Sequence, residues 1–489
     1  MSQTGALPEN PEVLLPTVLE RALRVFTEVR PGEGPTALCL FASVFLLLDA
    51  YYLIKPLRDG WIAVSSVSHL KPMEVKAYTS FGQALLLLLA TWAYSPLVNR
   101  WRRLDLLSRV VSICMVIIVL FWFLQPDFFI RNLPATGIVF YLWVGMFGVF
   151  VVAQFWAFVA DLYTDAVGRR LIPLVAIGAT SGAVFGSQIT KTLVDTKIVP
   201  TEELLLISLL PLAGSIWLAR KAEALGPFGR GPAPRAQKTE PSALRSGALG
   251  LILHSRLLLA VAFMTLLLNW INTNGENLLF GVVQNFLSDK ARVQGISTPA
   301  ALLAFTRAET SSFYGSFYFW GNTAALVLQC LVASRLLKYG GFGVMLLFSP
   351  TVALLSYSTM AMVPILAVVE VMKIIDNAND YSINNTARNV LWLPVPAITK
   401  LKTKPAIDSL FARAGDGFSA LTIGVGVQLL HLPNAGFFAF TVGLVVIWLL
   451  LSLIVVRDHS QLVAKHGDPP AGGEVPLAAT PEPAAAGSA

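Results

Sequence analysis

Apolar runs of about membrane-spanning length, separated by short polar stretches, set the layout of this chain. The first series covers residues 35–54, 78–98, 106–124, 137–163, 171–190 and 204–219. The second covers 257–279, 313–336, 342–357, 360–375, 418–430 and 437–456. Runs near 20 residues predict transmembrane helices, about twelve in all, although the ninth and eleventh are short by apolar count. The fourth is long enough to project past the bilayer. Pro56 predicts a break at the end of the first run, leaving Lys55 and Arg58 on a bent end. Asn272-Thr273-Asn274-Gly275-Glu276 predicts an interruption of the seventh. The tenth run continues without a turn into a charged stretch, where Glu370, Lys373, Asp376 and Asp380 step by three, three and four and so share one helix face. Lipid does not tolerate such a face, since each charge at mid-bilayer costs roughly 2.5–3.5 kcal/mol, so it must meet other helices or water.

Composition narrows the class. Of 489 residues, 55% are apolar and 13% charged, and the mean hydropathy is +0.66. That balance is of a polytopic membrane protein whose partner is the bilayer. The net charge of +7 lies in short loops, with no basic patch interleaved with aromatics, so nucleic acid is not an expected partner. Cys39, Cys114 and Cys330 fall inside apolar runs, and the His residues show no metal-ligand spacing, so no cofactor is expected. Residues 1–34 are polar and read as an N-terminal segment without a signal-peptide core. Residues 220–255 read as a linker between two bundles, 35–219 and 256–457, and 458–489 as a disordered Ala/Pro/Gly-rich tail.

Basic residues cluster at 100–103, 169–170, 220–256, 335–338 and 400–413, which all fall on one side of a twelve-span chain, together with both termini. That side is expected to be the cytoplasm of an inner membrane. The two series also echo each other. Asp161 precedes Arg169 by eight residues and Asp380 precedes Arg388 by eight, each pair following the fourth run of its half. Polar residues mark the end of the first run of each half, and a long loop is expected after it. The expected fold is therefore an all-α membrane protein of two six-helix pseudo-repeats, of major facilitator architecture, with its site where the halves meet.

Candidate site residues are Lys55, Arg58, Asn272, Glu276, Lys373 and Arg388. An Arg in such a place offers a planar fork for phosphate or carboxylate. Each has a plainer reading. Lys55 can snorkel to headgroups. Glu370 can neutralise Lys373 one turn away. Arg388 can make a salt bridge between helix ends, and the lysines at 400, 402 and 404 can anchor the loop. Asp49, Asp161, Arg169 and Asp380 are candidates for gating or coupling, Asp49 as a proton carrier or as a partner of Arg109. Gly178, Gly182 and Gly186 predict a close-packing face.

The chain resembles the ATP/ADP translocases of intracellular bacteria and plastids, and more closely the wider bacterial set of nucleotide-exchanger-like proteins. The resemblance rests on Tyr51-Tyr52-Leu53-Ile54-Lys55-Pro56-Leu57-Arg58-Asp59, on Phe155-Trp156-Ala157-Phe158-Val159-Ala160-Asp161-Leu162-Tyr163-Thr164, and on Asn269-Trp270-Ile271-Asn272-Thr273-Asn274-Gly275-Glu276. It rests too on the stretch from Asp380 to Arg388, then on Pro394, Lys400, Lys402, Lys404, Asp408 and Arg413. It implies exchange of ATP for ADP or of related nucleotides, with proton-linked import in some members, by a monomer. It implies that Arg58, Glu276 and Arg388 answer to the family's functional base, acid and base in the first, seventh and tenth regions. The family's acid in the fourth helix has no counterpart: Val144 stands there, with Gly145 and Met146 beside it. Two further classes stay open. One is a proton-coupled carrier of a different organic anion or drug, working through Asp49 or Glu276. The other is a membrane scaffold that keeps the fold without transport.

Overall fold

The computed structural model describes residues 29–67, 69–98, 101–125, 135–163, 165–225 and 246–466. The expected N-terminal segment up to residue 28, much of the linker (226–245) and the tail from 467 lie outside them. The N-terminal half consists of α1 (Gly34–Ala63), α2 (Pro72–Val98), α3 (Arg103–Phe123), α4 (Ala135–Leu162), α5 (Asp165–Thr196) and α6 (Thr201–Leu225). A short helix, α7 (Ser246–His254), leads into the C-terminal half. That half comprises α8 (Arg256–Val293), α9 (Pro299–Leu328), α10 (Ser334–Met362), α11 (Leu366–Asn379), α12 (Asn385–Leu391), α13 (Ala397–Ala406), α14 (Ala412–Gln428) and α15 (Asn434–His466).

Eight helical stretches are long and apolar enough to cross a membrane, and one of them, Pro299–Met362, is 64 residues long. At about 1.5 Å per residue it is far too long for one crossing, and it turns at Gly341, whose φ of 70° and ψ of 178° are closed to most side chains. With α2, α11–α12 and α13–α14, the described residues make twelve passes, six in each half. α11–α12 and α13–α14 are less apolar because they carry Lys373, Asp376, Arg413 and Asp416, each of which has an ion-pair partner inside the protein.

Three sequence expectations are corrected by the backbone. α1 runs straight through Pro56. The proline withdraws the N–H that would have bonded the Tyr52 carbonyl, and Thr190 Oγ1 on α5 donates to that carbonyl instead, at 3.2 Å. α8 is unbroken over 38 residues, because the polar side chains of its centre find partners on neighbouring helices rather than on their own backbone. Asn274 donates to Thr441 at 2.8 Å, Asn277 to Ser419 at 3.3 Å and Thr273 to Asp416 at 2.6 Å. The long loop expected after this helix is mostly helix, the connection being residues 294–298, and Lys290 pairs with Glu309 across it at 2.7 Å. The stretch before Glu370 does contain a turn, at Val363-Pro364-Ile365, where the proline ends α10 and precedes α11.

Two apolar cores hold the halves. One, built on Leu53, Leu57, Phe140 and Phe155, fills the N-terminal half. The other fills the C-terminal half and reaches across to Ile62, Met73 and Val75. Inside the first half α1 lies along α5, as the glycine spacing predicts. A Cβ at Gly178 would stand 2.7 Å from the Phe41 carbonyl oxygen, and one at Gly182 would fall onto the Phe45 carbonyl. Between the halves α5 packs on α9 and α2 on α14. These are the fifth and eighth passes and the second and eleventh, pairs that a twofold exchange of the halves interconverts.

Candidate functional site

A cavity of about 230 Å³ lies where the halves meet. α1 contributes Tyr51, Lys55 and Arg58, three and four residues apart and so on one face. α2 contributes Lys76 and Gln83, and α8 contributes Asn272 and Glu276 from the opposite wall. Arg413 and Asp416 on α14 also line it and pair with each other at 3.0 Å.

The wall from the N-terminal half holds three cations against one carboxylate. Asp59 is fully buried, 3.2 Å from Arg58 and 3.4 Å from Lys76. Its third partner comes from the other half: the Tyr318 hydroxyl on α9 donates to it at 2.8 Å. The Arg58 guanidinium stacks on Tyr141 at 4.4 Å, and its Nε has no hydrogen-bond partner. Lys76 lies over Phe280 and Tyr314 at 4.5 and 4.9 Å. Lys55 has no carboxylate within ion-pair range among the described residues. Its ammonium lies over the rings of Tyr318 and Tyr52 at 3.9 and 5.0 Å. Aromatic faces thus cushion these cations without cancelling their charge.

The opposite wall is a hydrogen-bonded lattice. The buried Lys373 donates to Asp376 and to Asn272 Oδ1, each at 2.9 Å. Asn272 Nδ2 donates to Asp380 at 3.3 Å, and Asn384 donates to Asp380 at 2.6 Å across the π-helical turn Asp380–Asn384. Glu276 accepts from Asn377 at 2.8 Å and has no cationic partner among the described residues.

Of the residues expected from sequence, Lys55, Arg58, Asn272 and Glu276 line the cavity. Lys373 stands behind Asn272 and is satisfied by Asp376, not by Glu370. Arg388 does not reach the cavity; it pairs with Asp408 at 2.9 Å near the basic-loop end, which is the plainer reading. Asp380 orients Asn272 and holds the π turn. Asp161 pairs with Arg103 at 3.4 Å, whereas the Arg169 side chain lies outside the described residues. Asp49 is buried, with Oδ1 unpartnered, and Arg109 lies instead over Trp101 at 4.3 Å. Val144 is wholly buried in the apolar core. Sequence reasoning missed Asp59, Lys76 and Tyr318. Lys76 was legible in principle: Pro72 with Glu74 in the first turn marks a helix start ahead of it, and the Glu74 carboxylate accepts from the Lys71 amide at 2.9 Å.

The halves are joined at one end. Glu74 accepts from Gln428 at 2.7 Å, Arg307 pairs with Glu202 at 2.8 Å, Ser312 donates to Asp195, and a Cβ at Gly60 would lie 2.7 Å from the Arg307 carbonyl. All of these lie opposite the basic loops. At the basic-loop end the ion pairs Arg102–Glu223, Arg103–Asp161, Arg256–Asp458 and Arg388–Asp408 each stay within one half.

No protein-family model and no curated protein matches the sequence. Solved structures do match over most of the chain. A POT family transporter in complex with a thioalcohol-conjugated peptide aligns with a TM-score of 0.59 at 12% identity, covering 89% of this chain and 98% of that one. A point mutant of the nucleoside transporter NupG aligns at 0.54 and 13% identity, over 87% and 99%. A bacterial homolog of the human lysosomal transporter Spinster, inward-facing and unoccupied, aligns at 0.52 and 14%, over 89% and 99%. At these identities the likeness establishes the fold: the chain is an all-α, multi-pass membrane protein of the major facilitator type.

Proposed function

We propose that the protein is an alternating-access transporter that exchanges nucleotides, ATP and ADP or related species, across the membrane. The observation that carries this is the wall of Lys55, Arg58 and Lys76, three cations served by the single carboxylate of Asp59 in a cavity between the halves. A polyphosphate supplies the missing negative charge, and the tyrosines beside it suit a nucleobase. The resemblance to nucleotide exchangers agrees at Arg58 and Glu276. The cavity is sealed opposite the basic loops, which are taken as cytoplasmic, so this conformation presents the site to the cytoplasm of an inner-membrane carrier. Moving these cations through a closed, dry state without a counter-anion is costly, which favours exchange over net flux. Lys373 and Asp380 support Asn272, and Arg388 with Asp408 acts at the end of the bundle rather than on substrate.

A second reading has a specific observation behind it. Glu276 faces the cations from the opposite wall, and about 230 Å³ is below the usual ~300–1,000 Å³ of drug-sized ligand pockets. That arrangement also suits a smaller anion that carries an amino group. Proteoliposomes decide between them. Labelled ATP should enter vesicles loaded with ADP and not empty ones, and Arg58→Ala should cut the rate at least tenfold. Absence of nucleotide uptake under both conditions, with uptake of a small amino acid-like anion, overturns nucleotide exchange in favour of the second reading.

A further inference from the structure

The carboxamide of Gln83 is held by shape and not by hydrogen bonds. A Cβ at Gly145 on α4 would coincide with the Gln83 carboxamide, so the missing side chain makes the slot in which it lies. One turn on, Gly148 takes the ring of Tyr51 in the same way, its would-be Cβ lying 2.6 Å from Tyr51 Cε2. Gln83 Oε1 is cut off from solvent and has no partner, and among the described residues Nε2 has none either. The other amides of the cavity are different: Asn272 is bonded at both ends and Asn277 donates to Ser419. A buried polar atom without a partner is uncommon and calls for an explanation. This one lines the cavity with Tyr51, Arg58 and Tyr141.

We propose that Gln83, seated against Gly145, reads the uncharged part of the substrate, the nucleobase or its ribose, while Lys55, Arg58 and Lys76 hold the phosphates. This rests on the nucleotide reading above and adds a specificity residue to it. A carboxamide offers an acceptor and donors side by side, which matches an edge that carries an amino group next to a ring nitrogen. Tyr51 and Tyr141 flank it with faces on which a base can stack. The amide is neutral, so it sharpens recognition without offsetting the cations. The glycine slot fixes its position at no cost in hydrogen bonds, leaving both ends for the ligand.

The test compares two probes on the full chain in detergent, ADP and inorganic tripolyphosphate, by titration calorimetry. Gln83→Met keeps the length and removes the hydrogen bonds. Gly145→Ala places a methyl group in the slot and displaces only the end of a flexible side chain. Both variants should weaken ADP about tenfold and leave tripolyphosphate within twofold of wild type. Equal weakening of both probes overturns the assignment, because Gln83 would then be supporting the cations. Wild-type ADP affinity in both variants overturns it as well. A wild type that binds no ADP removes the nucleotide reading itself, and this inference with it, and that outcome is seen before any variant is made.

Discussion

Asp59→Asn isolates the charge that holds the cationic wall together. Asparagine keeps the shape of the side chain and still accepts the Tyr318 hydroxyl, so what is lost is the negative charge. At separations of 3.2 and 3.4 Å, with an effective dielectric near 20, attraction to Arg58 and to Lys76 is about 5 kcal/mol each before desolvation is set against it. The net loss from removing one partner of a buried pair is about 3–5 kcal/mol, because the other charge is left without an anion. Here two charges are left, Lys76 at 2% exposure and Arg58 at 8%. Thermal unfolding in one detergent at a fixed scan rate should therefore fall by on the order of 10 °C. Adding Lys76→Met to the variant removes one of the stranded cations, and the double variant should recover about half of the loss. That recovery is a coupling of roughly 1–3 kcal/mol between the positions. A single variant that unfolds within 2 °C of wild type, or a double variant whose loss equals the sum of the singles, refutes the reasoning. Either would mean that water, and not Asp59, balances Lys76 and Arg58.

Other consequences follow from the same geometry. Tyr318→Phe deletes the hydroxyl that ties α9 to Asp59 across the halves, so a cysteine placed at Ser311, against Gly60, should react with a membrane-impermeant thiol reagent several-fold faster; an unchanged rate would show that the bond does not hold the seal. Arg388→Ala should leave nucleotide affinity within about twofold, whereas Arg58→Ala should lower it at least tenfold, as measured by titration; equal losses would place Arg388 on the substrate. Gly182→Val should lower the unfolding temperature by an amount matching about 2 kcal/mol or more, since its Cβ meets the backbone of α1 at Phe45 and the helices must part; wild-type stability would show that α1 and α5 are not so closely packed.

Much of the fold was legible because lipid leaves few choices. A run of apolar residues must be a helix with every backbone group bonded, so passes could be counted from hydropathy. The errors come from places where a side chain does the bonding. Pro56 reads as a break until Thr190, 134 positions away, is seen to serve the carbonyl it leaves free. The asparagines of α8 read as an interruption until their partners on α11, α14 and α15 are known. Residues 299–312 read as loop because they are not uniformly apolar, yet they continue α9, with Lys290 and Glu309 paired across the hairpin. The site divides in the same way. Arg58 and Glu276 stand out as charges inside apolar runs. Asp59 lies beside Arg58 and reads as its neutralising neighbour, so nothing local shows that Lys76 and Tyr318 share it. Arg388 was misplaced for a geometric reason. The π turn at Asp380–Asn384 inserts a residue, which rotates everything after it by roughly 100° and invalidates face arithmetic carried past Asp380.

The same few residues hold the seal and set the charge of the cavity, and this bears on how the carrier works. Tyr318 and Tyr314 come from α9, in the half opposite the cations, yet one bonds Asp59 and the other bonds Lys76 at 3.4 Å. Lys55 also rests on the Tyr318 ring. If the halves part at the end that is now closed, α9 moves away from α1 and α2, Asp59 loses a donor, and Lys55 and Lys76 lose aromatic cover. With the cavity empty, nothing replaces those contacts. With a polyanion bound, the cations are already held by the ligand, and the loss of α9 costs less. Substrate charge therefore lowers the barrier to opening on the far side, and a carrier built this way needs cargo in order to turn over. Obligate exchange then follows from the placement of Tyr314 and Tyr318, without a separate coupling ion.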